Sequence, residues 1–298
     1  MARRSPHNPL GEVFGYPVDN LSPEAEHIRD NKLCPFGNRV DNCTKSDATN
    51  PLGVCSVMDG DDPTITCPVR FRTQDHRVTT DAAEFFGFSP GSWTSLNEVQ
   101  LLDTTGRSAG NIDVVLVAYD EHGHLTDFGS LEIQAVYISG NIRQAFTYYM
   151  ADRERYQKTL WRGKTARADY LSSSRKRLMP QMVYKGGILQ SWSKKQAVAL
   201  HRKFWDTLPN PPTVEREEAE VAWLVYDLRK DEAANEHRLE LGEVVYTRFQ
   251  PALDSITTPA VGAVEDFEQK LQEKLDDKLD SPPDAPILGE ILEEEPEA

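Results

Sequence analysis

Residues 128–136 read FGSLEIQAV, and this stretch decides the fold that the sequence predicts. Apolar residues alternate with Glu132 and Gln134, which is the pattern of a β-strand whose two faces differ. Residues i and i+2 of a strand point the same way, so the Glu132 carboxylate and the Gln134 amide share one face. Two such groups inside an apolar run indicate either a wet polar face or a chemical site.

The preceding apolar segment supplies a second carboxylate. Residues 111–119 read NIDVVLVAY and predict a strand that contains Asp113, while residues 125–138 form the strand with Glu132. The loop DEHGH at 120–124 is typical of a hairpin. In such a hairpin, Asp113 and Glu132 can converge on one divalent cation, which phosphodiester hydrolysis needs. The residues alone leave open the alternative of a solvated hairpin face.

Length and composition predict one large domain or two modest ones, since the chain has 298 residues and 39% hydrophobic residues. The apolar run at 112–119 is far too short to span a membrane, and no apolar segment of a secretory signal follows Met1. We therefore expect a soluble, cytoplasmic protein. Further patterns predict helices at 22–30, 141–160 and 175–206, and strands at 219–228 and 238–249.

Charge is distributed unevenly along the chain. The net charge is −15, yet residues 151–203 contain 14 Lys and Arg against 3 Asp and Glu, a net of +11. Residues 264–298 contain 13 acidic residues against 3 Lys, and we expect this tail to be disordered. The basic segment indicates a surface for a polyanion such as DNA; the alternative is a solvated helical surface. The candidate DNA-binding residues are Arg153, Arg155, Arg162, Arg167, Arg175, Lys176 and Arg177.

All four cysteines fall within one short segment, at Cys34, Cys43, Cys55 and Cys67. Four thiolates can hold zinc or iron in a closed tetrahedral site that stabilises the fold. Two disulfides or free buried thiols are the alternatives, although disulfides are disfavoured in a reducing compartment. The spacing contains no Cys-x2-Cys pair, so it matches neither a zinc ribbon nor a rubredoxin loop.

Short motifs in chain order resemble the NotI restriction endonuclease family. They are EVFG at 12–15, CPF at 34–36, CTK at 43–45, GVC at 53–55, CP at 67–68, FGSLEIQ at 128–134, QMVYK at 181–185 and AW at 222–223. The similarity runs from about residue 10 to about residue 258 and leaves out the acidic tail. One departure is that Asp113 follows Ile112 rather than proline.

The resemblance implies roles for individual residues. Asp113 and Glu132 would hold a catalytic Mg²⁺, and Gln134 would take the position that lysine has in most Asp…Glu-x-Lys nucleases. Gln181 and Lys185, one helical turn apart on one face, would support catalysis. The four cysteines would hold a structural iron atom, with zinc as the alternative.

The resemblance also implies a fold and an activity. We expect an α/β (α+β) chain with a PD-(D/E)xK core, in which a mixed central sheet is flanked by helices. The expected parts are a four-cysteine subdomain in residues 1–80, a nuclease domain at 81–263 and the tail at 264–298. The implied function is that of a type II restriction endonuclease that cuts both strands of duplex DNA at a palindrome as a homodimer. Two alternatives remain: a non-catalytic DNA-binding module with a structural metal, and a metal–sulfur electron carrier.

Overall fold

The structure, a computed structural model, describes residues 7–37, 40–73, 75–161, 165–259 and 261–279. Twelve strands occur in this part of the chain. They are β1 Leu10–Val13, β2 Tyr16–Pro17, β3 Val54–Asp59, β4 Asp62–Ile65, β5 Trp93–Leu102, β6 Ser108–Tyr119, β7 Leu125–Gln134, β8 Tyr137–Ser139, β9 Arg167–Asp169, β10 Gln196–His201, β11 Val221–Asp231 and β12 Glu236–Thr247.

Helices of at least eight residues lie at Pro23–Asp30, Arg77–Phe86, Ile142–Ala151, Phe249–Thr257 and Val264–Leu279. A further continuous helical segment, residues 170–191, contains two π-helical turns at Ser174–Leu178 and Met182–Gly186, and we call it the bulged helix. The remaining helical segments are single turns, at Pro68–Phe71, Arg153–Tyr156, Arg202–Trp205 and Arg216–Glu218.

Six strands form the central sheet, in the order β12-β11-β10-β7-β6-β5. The hairpin β6–β7 is antiparallel, whereas β10 runs parallel to both of its neighbours, so the sheet is mixed. The turn of the hairpin is closed by Asp120, whose Oδ1 accepts the N–H groups of His122 and His124. Gly123 has a φ of +79°, which glycine adopts without steric cost.

Helices cover both faces of this sheet. One face packs Leu131 and Ile133 of β7 against the helix Arg77–Phe86. The other face packs β10 and β11 against the bulged helix and the helix Phe249–Thr257, with Trp223 fully buried at its centre. Glu132 is in register with Val198 of β10, and Gln134 with Leu200, so both polar residues lie on the face that the bulged helix covers. The prediction of a mixed α/β chain with a large mixed sheet flanked by helices is confirmed.

Three parts of the chain differ from their predicted structure. The strand predicted at 125–138 ends at Gln134, and residues 137–139 form β8, which pairs with β9 in a separate sheet. The helix predicted over residues 175–206 ends at Ser191, and residues 196–201 form the buried strand β10. A continuous apolar run such as AVAL reads equally well as a buried helix or a buried strand, and pairing with β7 and β11 decides between them. In the tail, where disorder was expected, residues 264–279 form a helix; residues 280–298 lie outside the described residues.

A second sheet, in the order β2-β1-β3-β4, lies near the N-terminus. It packs with the helix Ile142–Ala151 around Phe14, Val54 and Tyr149. The chain divides into two compact units, one up to Thr257 and one from Thr258. The boundaries that the sequence suggests near residues 80 and 263 stay predictions. No helix among the described residues has the length and apolarity needed to cross a membrane.

Candidate active site

The hairpin β6–β7 brings the first two candidate residues together. Val114 pairs with Leu131 across the hairpin, and both point into the core under the helix Arg77–Phe86. Asp113 and Glu132 therefore point to the opposite face, as the alternation of a strand requires. The Asp113 carboxylate is fixed because its Oδ2 accepts the backbone N–H of Ile133 at 2.8 Å.

Glu132 is buried, with 7% of its surface exposed, and it binds a lysine. Lys185 of the bulged helix donates to Glu132 Oε2 at 2.6 Å and to the backbone oxygen of Asn111 at 2.8 Å. Burial, together with the neighbouring Asp113 carboxylate, raises the pKa of Glu132 to about 7 against the opposing effect of Lys185. The pair is thus a buried carboxylate held by a buried ammonium at the edge of a polar cluster.

Gln134 is also buried and is held by the same helix. Its Nε2 donates to Gln181 Oε1. Its own Oε1, and Oε1 of Glu132, are buried and have no hydrogen-bond partner. Buried acceptors are nearly always paired in proteins, so these two unpaired oxygens indicate a place for a ligand that oxygen atoms can bind, such as a cation.

The bulged helix contributes a third contact through Arg177. Its Nη2 donates to the carbonyl oxygen of Ile133 at 3.3 Å and lies 4.0 Å from Asp113 Oδ2. At Gly186 the bulged helix packs closely against both the helix Phe249–Thr257 and β10, since an added Cβ would lie 2.7 Å from the Phe249 ring and 3.0 Å from Gln196 Oε1. The Gly186 carbonyl accepts a 3.0 Å hydrogen bond from Gln196, which anchors the helix to β10.

The candidate DNA-binding residues differ in their exposure and in the groups that they contact. Arg175 and Lys176 are exposed on the bulged helix, and Arg167 is exposed on β9. Arg153 is instead bound to Glu26 and, at 2.6 Å, to Asp30, so its charge is neutralised within the protein. The other three members are Arg155, whose guanidinium lies over the ring of Tyr156; Arg177, which lies at Asp113; and Arg162, which is outside the described residues.

The four cysteines are free thiols that line one cavity of about 260 Å³. Burial raises the pKa of the Cys34 thiol to about 11 and also raises the pKa values of Cys43 and Cys55. Lys45 lines the same cavity, where its Nζ donates to Val54 O and, at 3.1 Å, to Thr66 O. The donor type and the shared cavity fit a four-thiolate metal.

The described part of the chain contains no group of three or more His, Cys, Asp or Glu side chains arranged to hold a metal ion. For the cysteines, this means that sharing a cavity does not amount to a closed coordination geometry. Among the described residues, the hairpin cluster has only two side chains of these four types, Asp113 and Glu132, and its third oxygen comes from the amide of Gln134.

Sequence reasoning missed two contributions to this cluster. It assigned Arg177 to DNA, whereas the structure places the guanidinium at Asp113 and Ile133. It also did not predict the Asn111 carbonyl as an acceptor for Lys185, because every residue has a backbone oxygen and the sequence does not show which one is used. A signal for Arg177 was available: Arg177, Gln181 and Lys185 recur every four residues.

The comparisons with known proteins bear on the whole cluster. A family model described as Restriction endonuclease NotI matches residues 12–239. This segment is about three quarters of the chain and contains the four cysteines, both carboxylates of the hairpin and the bulged helix. No curated protein matches the chain.

Proposed function

The chain belongs to the NotI restriction endonuclease family and is thus a type II site-specific deoxyribonuclease that binds DNA; from this premise we propose that it hydrolyses both strands of duplex DNA at a palindromic site, with Mg²⁺ as cofactor. The observation that supports this proposal is the cluster of Asp113, Glu132 and Gln134, in which Oε1 of Glu132 and Oε1 of Gln134 are buried and unpaired. We further propose that the central sheet is a PD-(D/E)xK core, with Gln134 in the position of its lysine.

The residues fit a magnesium ion in their chemistry. Mg²⁺ prefers oxygen ligands and is usually held by one or two carboxylates together with water and phosphate oxygens. Glu132 Oε1 and the carboxylate of Asp113 would hold it, and Gln134 Oε1 would bind it or one of its waters. When bound, the ion would activate a water molecule and stabilise the charge that develops on the phosphate.

The protein's own groups prepare this site before DNA arrives. The Ile133 N–H fixes one oxygen of Asp113, so the carboxylate is oriented without having to give up conformational freedom on binding. Lys185 occupies Glu132 Oε2 and leaves Oε1 open. The bulged helix also contacts the polar face of β7, where Glu132 and Gln134 are buried, and burial strengthens electrostatic interactions within the site.

DNA binding would use the exposed basic residues Arg167, Arg175 and Lys176, since each neutralised phosphate contributes to affinity independently of sequence. A palindrome has twofold symmetry, so a homodimer with one active site per strand is the matching assembly. We place the protein in the cytoplasm, where such an enzyme meets DNA. We also propose a structural iron or zinc atom on Cys34, Cys43, Cys55 and Cys67, within an N-terminal subdomain.

Incubation of the purified protein with plasmid and genomic DNA tests the proposal. With Mg²⁺ we expect discrete fragments, and with excess EDTA we expect intact DNA. The variant Asp113→Asn, purified identically, controls for contaminating nucleases and must not cut. Sequencing of fragment ends should give one palindrome cut on both strands, and light scattering should give the mass of a dimer. DNA that is shifted in a gel but never cut would instead support the alternative, a non-catalytic DNA-binding module.

A further inference from the structure

The bulged helix presents one row of three polar side chains to the hairpin. Arg177, Gln181 and Lys185 are spaced by four residues, and each meets a different member of the candidate active site. Arg177 lies at Asp113, Gln181 binds Gln134, and Lys185 binds Glu132. One helix thus supplies one partner to each residue of the cluster.

The two π-helical turns explain how one row of side chains on the helix contacts all three residues of the candidate active site. In a regular α-helix with about 3.6 residues per turn, positions i, i+4 and i+8 drift around the axis by about 80°. A π turn closes its hydrogen bond one residue later and takes up this drift. The turns Ser174–Leu178 and Met182–Gly186 enclose Arg177 and Lys185, the two ends of the row. Such turns are infrequent and occur preferentially at functional sites.

Lys185 is the one ammonium in this row, and its surroundings are unusual for lysine. Only 5% of its surface is exposed, and it binds one carboxylate and one carbonyl oxygen. Truncation of one partner of a buried ion pair leaves an uncompensated charge, so Glu132 and Lys185 each stabilise the charged form of the other. The strand itself has an uncharged Gln at 134, and the cation next to Glu132 comes from the helix instead.

We propose that the bulged helix is a positioning element for catalysis, and that Lys185 supplies through Glu132 the positive charge that β7 lacks at Gln134. This inference rests on the proposed function, because it assigns Glu132 to the reaction. Lys185 is a positioning residue: it binds Glu132 Oε2 and thereby directs Oε1 toward the cation site.

The first test removes the charge. Lys185→Met should lower the single-turnover cleavage rate on the order of a hundredfold, the usual loss when a preorganised electrostatic group is deleted. Lys185→Arg, which keeps the charge, should cut faster than Lys185→Met. The matched control is Lys194→Met, because Lys194 makes an ion pair of the same length with Asp127 at the other end of β7. This control should cut at the wild-type rate.

Mn²⁺ binding to the free protein, measured by calorimetry, separates positioning from a structural role. Because Lys185 directs Glu132 Oε1 toward the cation site, Lys185→Met should bind Mn²⁺ more weakly than the wild type, whereas Lys194→Met should bind it equally well. A Lys185→Met variant that lost cutting and thermal stability but bound Mn²⁺ as tightly as the wild type would overturn the proposal, because Lys185 would then serve the fold alone.

The second test relocates the charge. Positions 132 and 134 share one face of β7, so a lysine at 134 lies next to Glu132. The double variant Gln134→Lys with Lys185→Met should cut at least about tenfold faster than Lys185→Met alone. A faster rate would mean that the relocated charge restores part of the lost stabilisation of the transition state. No recovery, with both proteins folded, overturns the assignment. If Asp113→Asn were to cut normally, the proposed active site would fail; if only Lys185→Met cuts normally, the proposal about the helix fails alone.

Discussion

Lys185 donates a 2.6 Å hydrogen bond to Glu132 across 53 positions of sequence. One residue comes from a central strand and the other from a helix that crosses the face of the sheet. This hydrogen bond converts a strand sequence Glu-Ile-Gln, which has no positive charge, into a site with an ammonium beside its carboxylate. It also links the two elements, so the position of the Glu132 carboxylate depends on how the bulged helix is packed.

The carboxylates are the first target for variants. Asp113→Asn and Glu132→Gln keep the shape of each side chain and remove its charge, so each should lower the cleavage rate on the order of a thousandfold through loss of a cation ligand. DNA affinity, measured by gel shift without Mg²⁺, should change little. Asp127→Asn, at the exposed start of β7, is the control and should cut normally. Wild-type rates in either variant would remove that residue from the site.

The exposed basic residues give a prediction for salt dependence. Arg175→Ala with Lys176→Ala should weaken DNA binding and flatten the slope of log affinity against log salt by about 0.9 for each phosphate that is no longer neutralised. Arg153→Ala should leave the slope unchanged, because Glu26 and Asp30 already neutralise its charge. Fluorescence anisotropy over a range of salt concentrations measures both. An unchanged slope in the double variant would place the DNA surface elsewhere.

The sequence predicted the hairpin because its signals are local. Strict alternation fixes which face Glu132 and Gln134 occupy, and the glycine loop fixes the turn. The helical spacing of Gln181 and Lys185 likewise predicted a shared face. Strand β10 was not predicted, because a continuous apolar run has no periodicity that separates a strand from a helix. Its pairing with β7 and β11 identifies it as a strand.

Partners distant in sequence were the other obstacle. A count of charges identifies Arg153 and Arg177 as basic, but it does not show that one meets Glu26, 127 residues away, or that the other meets Asp113. A charged side chain that is neutralised inside the protein and one that faces DNA have the same letter in the sequence. The basic segment is therefore a weaker guide to the DNA surface than its net charge suggests.

The cysteine cavity gives a prediction for metal content. Elemental analysis of anaerobically purified protein should find one iron or zinc atom per chain. Cys67→Ser should lose it and lower the melting temperature, since binding to a structural site contributes several kcal/mol to folding. Two disulfides in a mass spectrum, or a metal-free protein of full stability, would contradict this prediction.

A buried histidine predicts how stability depends on pH. Burial, with nearby Lys203 adding to it, lowers the pKa of His201 to about 4. The unfolded chain takes up this proton near pH 6.5, so between pH 6.5 and pH 4 it binds more protons than the folded protein and stability falls as pH falls. The free energy of unfolding should drop by about 2 kcal/mol from pH 7 to pH 5 on account of this group.

Urea unfolding of His201→Asn measures this contribution. The side chain of His201 accepts the N–H of Lys203 at the start of a helical turn, and asparagine can accept the same bond. The variant should therefore lose most of the pH dependence while keeping the turn. His122→Asn, in the exposed hairpin loop, should retain it. An identical pH dependence in His201→Asn and wild type would contradict the assignment.

The acidic tail gives the last prediction. Residues 264–298 contribute −10 to a net charge of −15, and they lie beyond the segment that the family model matches. A protein of strongly negative charge is repelled by DNA at long range, and salt screens this repulsion. Truncation after Ala263 should therefore leave the cleavage rate of bound DNA unchanged and should speed association, most clearly at low salt. Stopped-flow association at several salt concentrations measures the effect. A truncated protein that no longer folds would show that the helix Val264–Leu279 is needed for stability, and equal association rates at low salt would show that the tail's charge does not reach the DNA.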